Sequence, residues 1–170
     1  MAPSAYALVG LDITAKVYLG IINIFLNKKE VKMFYLIVAG SRTFNDYEIL
    51  SNKLDALLVN QTEVTIVSGG AKGADTLAEH YAKQHNYPLK VFNADWNTYG
   101  KSAGYRRNEQ MHKFISQFEN RGCVCFWDGS SKGTQHNFKL AEQFKTPLRI
   151  CKFNLLPPVN EGGEPEIELA

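Results

Sequence analysis

Phe34 to Ala39 (FYLIVA) is a run of six apolar residues closed by Gly40, and it constrains the fold more than any other segment. A strand with one wet face alternates apolar and polar residues. A short run that is apolar at every position has both faces covered, as in a parallel sheet packed between helices. The neighbouring residues fit that reading. Asn45 stands three residues before Glu48 in a capping-box-like start, and Leu50, Leu54, Leu57 and Leu58 come after it at helical spacing.

The alternation then repeats. Val64 to Val67 is expected as a second strand, broken by Gly69 and Gly70, and Ala74, Leu77, Ala78, Tyr81 and Ala82 mark the next helix. Leu89 to Phe92 is a third strand entered through Pro88; a long polar loop precedes a helix marked by Met111, Phe114 and Ile115. A fourth strand begins near Gly122 and runs through Val124 to Trp127, Phe138, Ala141 and Phe144 mark a fourth helix, and Leu148 to Cys151 is the fifth strand. Strands alternating with helices predict an α/β fold: a mainly parallel sheet of about five strands or more, with helices on both faces.

Domain limits come from the same pattern. The periodic region, residues 33–154, is expected to be one domain. Residues 1–32 form an extension holding the apolar run Val17 to Leu26, which at ten residues is too short to span a bilayer. It lacks a positive leading region and a small-residue cleavage site, so a signal peptide is not indicated. An added strand or helix, a homodimer contact, and leader sequence ahead of a start at Met33 all remain open. Residues 155–170, rich in Pro, Gly and Glu, read as an acidic, flexible tail.

Charge and cysteine content narrow the function classes. Residues 1–32 carry four lysines against Asp12 and Glu30, and the tail carries four glutamates without a basic residue. The net charge of +2 therefore leaves the middle of the chain at +4, which suits an anionic ligand without announcing nucleic acid. Cys123 and Cys125 flank Val124 as neighbours on one strand face, with no disulfide framework and no zinc spacing. That is the pattern of a reducing cytoplasm. Nothing in the spacing asks for a metal or a bound cofactor.

Open parallel sheets bind ligands where strand ends hand over to helices. Three such places carry glycines, small hydroxyls and a cation: Gly40-Ser41-Arg42-Thr43, Ser68-Gly69-Gly70-Ala71-Lys72-Gly73-Ala74-Asp75, and Asp128-Gly129-Ser130-Ser131-Lys132-Gly133-Thr134. Glycine lets a backbone approach a phosphate, and a helix amino terminus attracts the anion. Each loop alone has a bland explanation: Gly69-Gly70 as a tight turn, Asp75 as a dipole partner, Arg42 as a solvated residue. Their combination supports a ligand site. Neither the Walker pattern nor Gly-x-Gly-x-x-Gly occurs.

The segment after the third strand adds Trp96, Tyr99, Tyr105, Arg106, Arg107 and Asn108. Trp96 either stacks on a base or caps the core, and Arg107 either forks onto phosphate or is solvated. His80, His85, His112 and His136 show no ligand spacing; only His136, beside the third glycine loop, is well placed for a site.

Taken in order, Val38 to Arg42, Val67 to Asp75, Ala94 to Trp96, Ala103 to Met111 and Trp127 to Thr134 resemble the SLOG superfamily, and within it the YspA-like group. The resemblance covers roughly Met33 to Cys151. It implies a Rossmann-like three-layer α/β/α fold and a nucleotide or nucleotide-derived ligand, held by Gly40, Ser41, Arg42, Ser68, Gly69, Gly70, Gly73, Asp75, Arg107, Asn108, Asp128, Gly129, Ser131, Gly133 and Thr134. Members include phosphoribohydrolases, sensors of NAD-derived signals such as cyclic ADP-ribose in bacterial conflict systems, and single-stranded-DNA binders. The hydrolases resemble Pro-Gly-Gly-x-Gly-Thr-x-x-Glu, whose last Glu takes part in cleavage. Asn137 stands at that position here, leaving Asp75 and Asp128 as weak catalytic candidates. The leading expectation is a binder or sensor of an ADP-ribose or NAD-type molecule, with hydrolysis and then single-stranded-DNA binding as alternatives.

Overall fold

The computed structural model describes residues 32–153 together with Ile13, Thr14, Val17 and Tyr18, which are helical and exposed. The chain separates into two compact units, Met1–Val31 and Lys32–Ala170. Apart from Val17 and Tyr18, the expectations for the apolar run Val17 to Leu26 and for the acidic tail lie outside the described residues. Among the described residues no helix is long and apolar enough to cross a membrane.

The second unit runs β1 (Phe34–Gly40), α1 (Tyr47–Leu58), β2 (Val64–Ser68), α2 (Ala74–Gln84), β3 (Leu89–Val91), α3 (Trp96–Tyr99), a 3₁₀ turn (Gly100–Ser102), α4 (Ala103–Ile115), β4 (Arg121–Trp127), α5 (Lys132–Gln143) and β5 (Leu148–Lys152). All strand pairs are parallel, in the order β3-β2-β1-β4-β5. Central β1 aligns Leu36 with Ile66 of β2 and Ile37 with Cys123 of β4. The architecture is the Rossmann-like α/β arrangement expected.

Residues of β1 divide between two cores because successive side chains point to opposite faces. Leu36 and Val38 join Leu50, Leu54 and Leu58 of α1 and Ala74, Ala78 and Tyr81 of α2. Ile37 and Ala39 join Met111 and Ile115 of α4 and the thiols of Cys123 and Cys125. Those two sulfurs lie 3.7 Å apart on one face of β4, as the Cys-x-Cys spacing predicts. Phe138 of α5 packs against the same side. Helices therefore cover both faces of the sheet, and the stretch Leu36 to Ala39 of β1 is apolar because it is buried on both.

Boundaries differ from expectation where helices begin. Asp46, not Asn45, caps α1, its side chain accepting from the Ile49 amide at 2.9 Å; Glu48 then lies one position too early for a capping box. Helix α4 starts at Ala103, so residues 103–108 form its first turns and not the end of a polar loop. Gly133 and Thr134 likewise lie inside the first turn of α5.

Between β1 and α1 the chain is pinned by Phe44, which is 2% exposed and stacks on Phe126 at 4.7 Å and edge-on to Phe153 at 4.8 Å. This contact holds the loop that carries Arg42. Phe44→Ala is expected to cost about 3–5 kcal/mol of stability, read as a lower midpoint in urea unfolding. A change under about 1 kcal/mol would show the loop to be held by something else.

Candidate functional site

The strand order reverses between β1 and β4, and there the loops of an open parallel sheet part to leave a crevice. The loops around it are held together by residues with no freedom to be larger. A Cβ on Gly40 would strike the Phe126 carbonyl oxygen and lie 2.7 Å from the Ala74 Cβ. Gly73, at φ +82°, lies against the Ser41 carbonyl and within 2.8 Å of the Arg42 Cα, again measured from an added Cβ. Ser41 is 1% exposed: its amide donates to the Phe126 carbonyl at 2.8 Å, and its hydroxyl accepts from the Asp128 amide at 3.2 Å. Ser41 thus staples the first loop to the third, leaving Arg42 and Thr43 exposed at the rim.

The Gly-Gly loop is held from within. Ser68 Oγ donates to Glu79 Oε1 at 2.7 Å and accepts from the Gly70 amide at 3.0 Å. Asp75 Oδ2 accepts from the Ala71 amide at 3.3 Å and pairs with Arg107 Nη1 at 3.2 Å. Arg107 Nη1 also donates to the Gly69 carbonyl, and a Cβ on Gly69 would overlap its guanidinium. Glycine at 69 is the space that Arg107 fills.

Burial governs this pair. It pushes the Asp75 carboxyl up to about 6, against the opposing pull of Arg107 and the Ala71 amide; Glu79 adds to the rise. Burial also lowers Arg107, which Asp75 counteracts, while the nearby Arg42 lowers it further. Arg107 is 8% exposed, so the solvated alternative does not hold; its Nη1 is committed to Gly69 and Asp75, while its buried Nε has no hydrogen-bond partner among the described residues.

The third loop is organised by Asp128, whose Oδ1 accepts from the amides of Ser130 at 3.0 Å and Ser131 at 2.8 Å. Burial raises Asp128, and those amides with the Ser41 hydroxyl more than offset it, holding the carboxyl below its ordinary range. Gly129 takes φ +84° to make the turn. Ser131 caps α5, accepting from the Thr134 amide at 3.4 Å and hydroxyl at 3.0 Å. Asn108 Nδ2 donates to the Gly133 carbonyl at 3.2 Å, tying α4 to α5.

The α3–α4 segment closes the crevice from the side. Asp95 caps α3 through the Thr98 amide at 3.0 Å. Trp96 is 49% exposed and lies with the Arg42 guanidinium 5.7 Å from its ring centre, so it faces the crevice rather than capping the core. Arg106 sits 4.5 Å over Tyr99, and Tyr105 meets His136 edge-on at 4.8 Å. His112 is fully buried and structural.

Two adjoining cavities result. The first, of about 390 Å³, is lined by Gly40, Arg42, Asp75, Arg107, Asn108, Asp128, Ser131, Gly133 and Thr134 among the residues read from sequence. Thr43, Trp96, Lys101, Tyr105 and Asn137 also line it. The second, of about 630 Å³, takes Gly69 and Gly70 with Arg42 and Arg107, and adds Lys72, Asn93 and Trp96. Ser41, Ser68, Gly73 and Gly129 line neither, and act by shaping the loops. Asn93 was missed, although its place just beyond the carboxyl end of β3 is where such a fold puts ligand contacts. Asn137 is 3% exposed and its Oδ1 has no hydrogen-bond partner among the described residues.

The Asp75 environment has a measurable consequence. Its folded-state value lies above the ordinary 3.8, so this group's stabilising contribution is complete below pH 4 and is lost as pH rises through about 6. The loss should be on the order of 2–3 kcal/mol. Urea unfolding of wild type and Asp75→Asn from pH 4 to 7 should show the wild-type advantage shrinking with pH. An advantage that grows would mean that Arg107, not burial, dominates.

Comparison with known proteins agrees with this geometry. The family described as YspA, cpYpsA-related SLOG matches residues 34–99, from β1 through α3. The chain is also 30% identical over 119 residues to the Gene 61 protein of Mycobacterium phage D29, a likeness covering 66% of this chain and 92% of that protein. With the parallel order β3-β2-β1-β4-β5 and its glycine-built crevice, the chain belongs to the YspA, cpYpsA-related SLOG family.

Proposed function

We propose that this is a cytoplasmic binding or sensing protein for a nucleotide or nucleotide-derived small molecule of the ADP-ribose or NAD type. The observation that carries the reading is the position of Arg42. Its guanidinium has no carboxylate partner among the described residues, lines both cavities and lies beside the Trp96 ring. Arg107, the neighbouring cation, is already paired with Asp75. A phosphate placed at this boundary meets a cation without a carboxylate partner among the described residues and the amino-terminal turn of α5. A base has the exposed rings of Trp96 and Tyr105 to stack on, and Asp128, whose Oδ2 accepts from the Thr43 hydroxyl at 3.5 Å, lines the same cavity within reach of sugar hydroxyls.

Two facts favour binding over hydrolysis. Asp75 Oδ2 is engaged by Arg107 and the Ala71 amide, and Asp128 Oδ1 by the Ser130 and Ser131 amides. The remaining position, Asn137, carries an amide that neither takes a proton nor bears the charge of a carboxylate. Likeness to a phage protein supports a setting in phage or bacterial conflict.

A thermal-shift series with AMP, ADP, ADP-ribose, cyclic ADP-ribose, NAD and a short single-stranded oligonucleotide tests the reading, with chromatography for products. A bound nucleotide at a hundred times its Kd adds about 2.7 kcal/mol and raises the melting temperature. Arg42→Ala should weaken that ligand about tenfold or more, the loss of a charged hydrogen bond, while the unliganded protein melts unchanged. Unchanged affinity would remove Arg42 from the site. A released base would restore the hydrolase reading, and a shift seen only with the oligonucleotide would replace both.

A further inference from the structure

The two cavities adjoin and share part of their lining. Arg42, Ala71, Trp96 and Arg107 line both, so a single wall of two arginines and one indole divides them. On the far side of that wall the surface changes character. Lys72 and Asn93 are exposed there, and the Asn93 carboxamide oxygen would lie 2.8 Å from a Cβ on Gly70. Gly70, at φ +66°, keeps that space clear. The first cavity, by contrast, offers Asp128, Ser131 and Thr134, the groups suited to a sugar and phosphate.

We propose that the cavities form one bipartite site for a two-part ligand: a nucleotide in the first, joined through an anionic diphosphate-type linker to a second polar moiety in the cavity of Lys72 and Asn93. This rests on the nucleotide reading above and extends it to residues that reading does not use. The linker crosses at the dividing wall because Arg42 is the cation there without a carboxylate partner among the described residues, and its contact with Trp96 holds it at the boundary. Lys72 meets further negative charge beyond the wall, and Asn93 supplies both a donor and an acceptor for hydroxyls. A mononucleotide fills only the first half.

Calorimetric titration of the full chain with AMP and with ADP-ribose tests this, in wild type and in Lys72→Glu and Asn93→Ala. Both substituted side chains are exposed, so the fold should be unaffected, which the unliganded melting curve checks. Wild type should bind ADP-ribose at least about tenfold more tightly than AMP. Each variant should lose most of that advantage and keep its AMP affinity. Equal binding of the two ligands by wild type would overturn the bipartite site and leave the nucleotide reading standing. So would variants that weaken AMP and ADP-ribose alike. If neither ligand binds wild type, the bipartite site falls, and the nucleotide reading falls with it only if ADP, cyclic ADP-ribose and NAD give no thermal shift either.

Discussion

One buried ion pair joins the parts on which everything else depends. Asp75 begins α2 on one face of the sheet, and Arg107 sits in α4 on the other; they meet at 3.2 Å over the Gly69 backbone. The contact reaches across the carboxyl edge of the strands and locks the Gly-Gly loop between two helical layers. Removing either partner would leave an uncompensated charge in a site shielded from water, the situation in which buried pairs become costly. The crevice takes its shape from this ion pair, the loop hydrogen bonds around it and the close approaches that its glycines allow.

Division of labour among the cations comes from this contact. Arg107 is paired with Asp75 through Nη1, so much of its charge is balanced within the protein. Arg42, held out on a loop pinned by Phe44 and Ser41, keeps its charge available. The glycines each make room for a different neighbour. Gly40 and Gly73 admit neighbouring backbone atoms and Gly69 admits the Arg107 guanidinium, whereas Gly70, which lines the second cavity beside Gly69, leaves room for the exposed Asn93 carboxamide. A glycine-rich loop at a strand end is thus not by itself a phosphate cradle. The Gly70 and Ala71 amides donate to Ser68 and Asp75, and the charge for an anion comes from a side chain.

The sheet was legible in the sequence because its central strand β1 is apolar at almost every position, the other strands are short apolar-rich runs, and its first two helices show their apolar stripes plainly. The start of α4 was not, for a physical reason. Its buried positions are Ala103, Arg107, Asn108, Met111, His112 and Ile115, a helical spacing in which polar residues occupy half of the places. Reading apolar periodicity passes over a helix whose buried face is polar. Helix α5 repeats the effect with Thr134 and Asn137. The three loops of the candidate site were found from their composition, and Arg42, Asp75, Asp128 and Thr134 do converge on one cavity. Whether a serine or glycine would face that cavity or support it was beyond composition, since Ser41 and Ser131 differ only in what the fold places beside them.

The central claim is that a nucleotide binds at the carboxyl edge of this sheet. Backbone amide resonances of isotopically labelled protein, followed during titration with ADP-ribose, address it most directly. Shifts should concentrate in Gly40 to Thr43, Gly69 to Lys72 and Ser130 to Thr134, with Glu63 and Lys145 at the opposite edge unmoved. Saturating ligand that leaves those loops still, or moves the opposite edge instead, would contradict the account.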